Sequence, residues 1–283
     1  MQKAVYNLWG KGNISVRVKY SIGQGNYCEL VKWENDTEEV VKVSGTEINK
    51  LKNEMYQMVV SDIEIHKESI NTDDAVTLFH DLGMTDKEKL FRYRRSSRVN
   101  IYELDHYMDY FYGEMAPSTD YVHVFELHTL PEAIVMLLPS KDDPAVPAEY
   151  ENSPKLLAVF AESDRWGRLM HVANAVDLNR RVENGTVREL IRVNEALHEK
   201  TYARVADEII ARRAKAVMLA GPSSSGKTTS ANRIATQLRA DGLDPVMLSL
   251  DDYYIDRDRI PRDTNGEMDL EPVSYTHLTL PTT

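Results

Sequence analysis

Nine consecutive residues have the types and the spacing of a phosphate-binding loop. Their sequence, GPSSSGKTT, fits the pattern G-x-x-x-x-G-K-[ST], and they are Gly221, Pro222, Ser223, Ser224, Ser225, Gly226, Lys227, Thr228 and Thr229. The two glycines let successive backbone N–H groups point inward, and a following helix adds the positive end of its dipole. Lys227 would then reach the β- and γ-phosphates of ATP, and the Thr228 hydroxyl would ligate Mg²⁺. The pattern therefore predicts binding of ATP and Mg²⁺; the alternative is a glycine-rich surface turn before a helix.

The sequence around this loop fits the strand, turn and helix that such a loop requires. Residues 216–220 form a short apolar run of strand character, and residues 230–240 have a helical pattern that Gly242 ends. A second apolar run, residues 246–250, follows the helix. These patterns predict the opening strands of an α/β domain with a parallel sheet.

Composition and charge narrow the class of protein. The 283 residues suffice for one large or two ordinary domains, and the net charge of −11 argues against nonspecific nucleic-acid binding. Cys28 is the only cysteine, so the sequence contains neither a disulfide framework nor a thiolate zinc cluster. It also contains no run of 18 apolar residues and no signal-peptide pattern at its start, so we expect a cytoplasmic protein without a membrane partner.

Upstream of the loop, short strand-like and helical patterns alternate and predict an α+β domain. Thr46 is the predicted N-cap of a helix over residues 47–61, and Asn71 or Thr72 is the predicted N-cap of a helix that Gly83 ends. The other predicted strands are residues 14–18, 27–31, 99–102, 121–127 and 133–138, and the other predicted helices are residues 155–171 and 186–213.

A basic stretch, Arg92, Arg94, Arg95 and Arg98 with Tyr93 between them, permits two interpretations. Arginine interleaved with tyrosine can bind RNA. We expect a solvated strand edge instead.

Residues 20–180 resemble the second additional domain of threonyl-tRNA synthetases, the module that edits mischarged tRNA. The resemblance rests on the order of GNYCEL, the helix at 46–61, NTDDAVTLFHDLG and DYFYGEMAPST. In that family the last stretch carries a cysteine and a histidine that belong to a cluster of the metal-ligating type. The matching positions here are Phe111 and Met115. Phenylalanine cannot ligate a cation and a thioether is a poor ligand for hard ions. The resemblance therefore implies the fold without aminoacyl-tRNA hydrolysis, and tRNA is not an expected partner.

The region from residue 214 resembles uridine kinase and related P-loop nucleoside kinases. After the Walker A pattern, the second apolar run ends in DDYY, where uridine kinases have D-S-F-Y. The resemblance implies that Asp251 accepts the proton of the nucleoside 5′-hydroxyl and that Tyr254 lies against a uridine- or cytidine-like nucleoside. It also places Glu271 near the ribose hydroxyls. A strand end followed by a polar turn is the alternative reading of the acidic pair Asp251 and Asp252.

The two resemblances together predict a bacterial-type fusion that transfers the ATP γ-phosphoryl group to a nucleoside. We expect a synthetase-like domain over residues 1–185, a linking helix over 186–213 and the first part of a kinase domain over 214–271. Residues 272–283 do not continue the kinase pattern, so we expect a non-native tail there and a truncated, inactive kinase half. A phosphoribulokinase-like sugar kinase is an alternative because it shares the loop and the acidic strand end. A nucleotide-sensing or tRNA-associated module without kinase activity is another.

Overall fold

The computed structural model describes residues 1–10, 13–34, 37–222, 224–249 and 262, which fall into two units. The first unit is Met1–Gly185 and the second is Thr186–Thr283. The elements of the first unit are α1 (Gln2–Trp9), β1 (Ser15–Ile22), β2 (Gly25–Glu34), β3 (Thr37–Val40), α2 (Gly45–Val60), β4 (Ile65–Asn71), α3 (Thr72–Asp81), α4 (Thr85–Phe91), β5 (Arg98–Leu104), β6 (Tyr107–Tyr110), a 3₁₀ helix (Thr119–Val122), β7 (Glu126–Leu130), β8 (Ala133–Leu137), α5 (Pro154–Leu169) and α6 (Ala175–Glu183). Helices and antiparallel sheets thus coexist in this unit, which is compatible with the predicted α+β class.

The larger antiparallel sheet has the strand order β1-β2-β8-β7. Strand β3 pairs with the C-terminal part of β2. Helix α2 packs on this sheet through an apolar face that includes Leu51, which is fully buried. Leu30 and Ile134 approach the same core from β2 and β8. Burial of each such side chain contributes about 1.5–3 kcal/mol, so this core carries much of the stability of the unit.

The smaller sheet is an antiparallel meander of β4, β5 and β6. Its apolar face packs against α3 and α4, where Phe79 and Phe91 meet edge to face with ring centroids 5.0 Å apart. Val99 and Ile101 of β5 complete this second core. Each sheet therefore has its own helical cover.

Two predicted features of the first unit are wrong in detail. Ser44, not Thr46, is the N-cap of α2, because its hydroxyl accepts from the Glu47 N–H while the Glu47 carboxylate accepts from the Ser44 N–H. The strand predicted over residues 121–127 begins only at Glu126, since residues 121 and 122 end the 3₁₀ helix and residues 123–125 are irregular.

The second unit contains α7 (Val187–Ala211) and α8 (Lys227–Ala240). Helix α7 confirms the helix predicted over residues 186–213. The strands predicted at 216–220 and 246–250 are not seen among the residues of this unit that the structure describes, which contain no strand. A strand needs a neighbour to satisfy its N–H and C=O groups, and these segments leave Met218 96% and Val246 84% exposed. Leu250 lies outside the described residues.

Across all described residues, none of the helices combines the length and the apolar character needed to cross a bilayer.

Candidate phosphate-binding loop

The turn that leads into α8 depends on Gly226. This residue is the N-cap of α8 and has a left-handed backbone, with φ 84° and ψ 20°. A residue with a Cβ atom is strained in this region, whereas glycine enters it freely. Open space surrounds the position where a Cβ atom of Gly226 would lie, so the requirement for glycine comes from the backbone.

The first turn of α8 presents open N–H donors. The first backbone bond of the helix runs from the Ser230 N–H to the Gly226 carbonyl at 2.9 Å. By helix geometry the amides of Lys227, Thr228 and Thr229 have no intrahelical acceptor, and no side chain among the described residues caps this end of the helix. Donors of this kind, together with the positive dipole end, favour an anion.

The side chain of Lys227 folds back over the loop. Its Nζ atom donates a hydrogen bond of 2.8 Å to the carbonyl oxygen of Pro222. The ammonium group is thereby held against the backbone of the loop. A polyphosphate in the loop would offer this cation an anionic acceptor in place of a neutral carbonyl, and charge-assisted hydrogen bonds are the stronger kind.

The other end of the loop is narrow at Gly221. A Cβ atom on this residue would lie 2.8 Å from the Ser225 Oγ atom, so a larger residue would force the hydroxyl aside. The Ser225 N–H donates to the Pro222 carbonyl at 3.3 Å and closes a tight turn. Ser224, within that turn, has a positive φ of 60°. The loop is thus curved by two residues with left-handed backbone, Ser224 and Gly226.

Thr228 and Thr229 are the second and third residues of α8, and both are exposed. The Thr228 hydroxyl is therefore accessible to a cation that arrives with a nucleotide. Ser223, Asp251, Tyr254 and Glu271 lie outside the described residues, so the geometry covers the phosphate end of the predicted site and not its nucleoside end.

The sequence patterns missed one feature of this region, the contacts between α7 and α8. The Tyr202 hydroxyl lies 3.3 Å from the Ser230 Oγ atom, and the Glu199 carboxylate contacts both Arg233 and Gln237. The spacing of Glu199, Tyr202 and Ala206 on one helical face was the available signal, but polar residues on such a face do not by themselves reveal a partner.

Phe111 and Met115, the two residues that the resemblance to the synthetase domain singled out, lie in the loop after β6. The Phe111 ring lies near those of Tyr102 and Tyr112, and Met115 is 44% exposed. The Tyr102 hydroxyl donates to the Gly113 carbonyl at 2.7 Å and fixes the loop between them. The described part of the chain contains no group of three or more histidine, cysteine or acidic residues arranged to hold a metal ion.

The basic stretch is not the strand edge that we expected. Arg92 and Arg94 lie in the turn after α4, and only Arg98 belongs to a strand. Arg92 pairs with Glu88 at 2.6 Å, and the Arg94 guanidinium lies over the Tyr110 ring, 4.7 Å from its centroid. These contacts engage Arg92 and Arg94 with groups of the same unit, which weakens the RNA interpretation of this stretch.

A scan against protein-family models and a search of curated proteins returned no match for this chain. The assignment of a function therefore rests on the residues and geometry described above.

Proposed function

We propose that the chain binds ATP with Mg²⁺ through residues 221–229 and belongs to an ATP-dependent nucleoside kinase of the uridine-kinase type. The observation that carries the proposal is the start of α8. There a left-handed Gly226 precedes a helix whose uncapped amides and Lys227 ammonium lie around one exposed loop. These are the groups that hold the phosphates of a nucleotide in a phosphate-binding loop.

In the proposed reaction the γ-phosphoryl group passes from ATP to the 5′-hydroxyl of a nucleoside. Lys227 neutralises phosphate charge and the Thr228 hydroxyl ligates the Mg²⁺ that accompanies the nucleotide. Asp251 accepts the proton of the attacking hydroxyl, and Tyr254 and Glu271 contact the nucleoside. Catalysis of this kind consists mainly of positioning and charge neutralisation, so the protein supplies fixed donors rather than a covalent intermediate.

The same proposal includes a parallel sheet in the second unit. Residues 216–220 and 246–250 would be strands of that sheet on either side of α8 in the chain. Support comes from the apolar composition of the two segments, which is typical of strands in a parallel sheet. Slow amide exchange in residues 216–220 and 246–249 would favour the sheet, and rapid exchange would count against it.

A titration with MgATP tests the nucleotide site directly. We expect saturable binding by the unaltered chain and a loss of at least about tenfold in affinity for Lys227→Ala, because a charge-assisted hydrogen bond is lost. Lys215→Ala, which removes an exposed cation outside the loop, is the matched control and should bind normally. Equal affinity of the Lys227→Ala variant and the unaltered chain would contradict the proposal.

Phosphorylation of uridine and cytidine, assayed with the same preparations, tests the reaction class. Transfer to the nucleoside supports a nucleoside kinase and would contradict the inactivity that we expect of this kinase half. Transfer to a phosphorylated sugar and not to a nucleoside would instead favour a sugar kinase.

A further inference from the structure

We propose that α7 is part of the nucleotide site, with Tyr202 and Glu199 as positioning residues that hold α8 and the loop before it. This inference deepens the proposed function and rests on it for the nucleotide-binding part. Neither residue lies in the GPSSSGKTT stretch, and neither is proposed to touch the nucleotide.

The contacts between α7 and α8 form one continuous line. Glu199, Tyr202 and Ala206 recur at intervals of three and four residues, so they lie on one face of α7. The residues of α8 that contact Glu199 and Tyr202 also recur at such intervals and are Ser230, Arg233 and Gln237. Two helical faces with matching spacing are thereby joined over two turns of α8.

Tyr202 acts at the turn that matters most for the loop. Its hydroxyl lies 3.3 Å from the Ser230 Oγ atom, and the Ser230 N–H makes the first backbone bond of α8, to the Gly226 carbonyl. Ser230 therefore connects α7 on one side with Gly226 on the other. A shift of Ser230 would move the residue whose left-handed backbone opens the helix.

Glu199 fixes the direction of α8 farther along. Its Oε1 atom lies 2.9 Å from Arg233 Nη1, and its Oε2 atom accepts from Gln237 Nε2 at 2.8 Å. A single exposed ion pair contributes little to stability. The two oxygens of the Glu199 carboxylate, however, bind residues one turn apart. This arrangement restricts rotation of α8 about its axis, so it affects the orientation of the helix more than its stability.

A small buried residue lies on the same face of α7. Ala206 is fully buried, and by helix spacing it shares this face with Glu199 and Tyr202. Small side chains let two helices approach closely, so modest displacements of one helix are transmitted to the other. The amides at the start of α8 must meet phosphate oxygens at hydrogen-bond distance, and misplacement by about 1 Å is costly in such sites.

The test combines three substitutions with two measurements. Tyr202→Phe removes the hydroxyl, Glu199→Arg reverses the charge, and Glu199→Arg with Arg233→Glu restores an opposite pair. Hydrogen exchange at residues 226–232 is measured without nucleotide, and the affinity for MgATP is measured by titration. Circular dichroism confirms that α7 and α8 remain helical in every variant.

We expect faster exchange at residues 226–232 and a loss of about three- to tenfold in MgATP affinity for both single variants, as for loss of one or two hydrogen bonds. The double reversal should recover part of both losses. Glu208→Gln is the matched control, because Glu208 pairs with Arg212, the residue directly after α7, and the variant loses an exposed ion pair without touching α8. It should leave both measurements unchanged.

Three results would overturn the inference. The first is unchanged exchange and affinity in both single variants, and the second is an equal loss in Glu208→Gln. The third is failure of the double reversal to recover either loss while the helices stay folded. If the unaltered chain binds no MgATP, the proposed function fails, and exchange in the nucleotide-free variants alone decides whether α7 positions the loop.

Discussion

The Lys227 ammonium and the Pro222 carbonyl, five residues apart in the chain, are joined by a hydrogen bond of 2.8 Å. The cation that would bind a nucleotide thus already has an acceptor inside the protein. Binding of a polyphosphate exchanges this neutral acceptor for an anionic one, and only the difference in free energy contributes to affinity. The loop is therefore held closed on itself by the residue most important for its proposed use.

Substitution of Gly226 by alanine should weaken nucleotide binding. A Cβ atom at φ 84° is strained by about 1 kcal/mol, and relief of that strain would rotate the first amides of α8. Gly242→Ala is the control, because Gly242 has φ 86° after the other end of α8 and suffers the same strain away from the loop. Titration with MgATP should show reduced affinity only for Gly226→Ala, and equal affinities would argue against a role for this turn.

The capping box at the start of α2 yields a stability prediction. Ser44→Ala removes the hydroxyl that accepts from the Glu47 N–H, and loss of such a cap costs about 1 kcal/mol. Thr46→Ala, inside the helix, should change the free energy of unfolding by less than half as much. Urea unfolding followed by tryptophan fluorescence checks both, since Trp9, Trp33 and Trp166 all belong to the first unit. A larger loss in the free energy of unfolding for Thr46→Ala would favour Thr46 as the N-cap, as the sequence pattern predicts.

Thr119 links three segments of the first unit through one buried hydroxyl. Its Oγ1 atom donates to the Met58 carbonyl at 2.6 Å and accepts from the Ile63 N–H at 2.8 Å. Thr119→Val keeps the volume but leaves both groups unpaired, so we expect a loss of about 2 kcal/mol in the free energy of unfolding. Thr119→Ser, which retains the hydroxyl, should lose markedly less under the same urea titration. Equal losses would show that the methyl group contributes as much to stability as the hydroxyl, which would contradict the role assigned to the two hydrogen bonds.

Cys28 should make stability depend on pH in alkaline solution. Burial raises the pKa of its thiol to about 11, well above the ordinary value for cysteine. Between about pH 9 and pH 11 the folded chain therefore retains a proton that the unfolded chain loses, and stability falls as the pH rises. The contribution of this group changes by at most about 1.4 kcal/mol per pH unit. Unfolding free energies measured at pH 8, 9, 10 and 11 should fall more steeply in the unaltered chain than in Cys28→Ala, and identical slopes would contradict the assignment.

Sequence periodicity predicted the helices well where an apolar stripe faces a core. The stripe of α2, which includes Ile48, Leu51 and Met55, lies in the larger core as expected. The helix after the candidate phosphate-binding loop is confirmed for a different reason, because its start signal and its terminal Gly242 are local. Local chemistry of this kind is fully present in the sequence.

Pairing between distant segments was harder to predict. Strand β4 went unnoticed because its exposed residues show little alternation, and its place is set by β5, with Ile65 opposite Leu104. Helix α6 was also missed, although Asn174 and Asp177 form a capping box at its start. Conversely, residues 216–220 have the composition of a strand but do not form one, and no other strand lies beside them among the described residues. Composition records a preference for extended backbone, whereas a strand also requires a partner whose position the sequence does not specify.

The central place of β8 in the larger sheet has a consequence for the order of folding during synthesis. Cys28 of β2 pairs with Ile134 of β8, whereas the whole meander of β4, β5 and β6 lies between these positions in the chain. Contacts close in sequence form at lower cost in loop-closure entropy than distant ones. The small sheet with α3 and α4 can therefore assemble while β8 is still within the ribosome. Strand β2 must wait for β8, and its open edge is exposed to other chains during that interval.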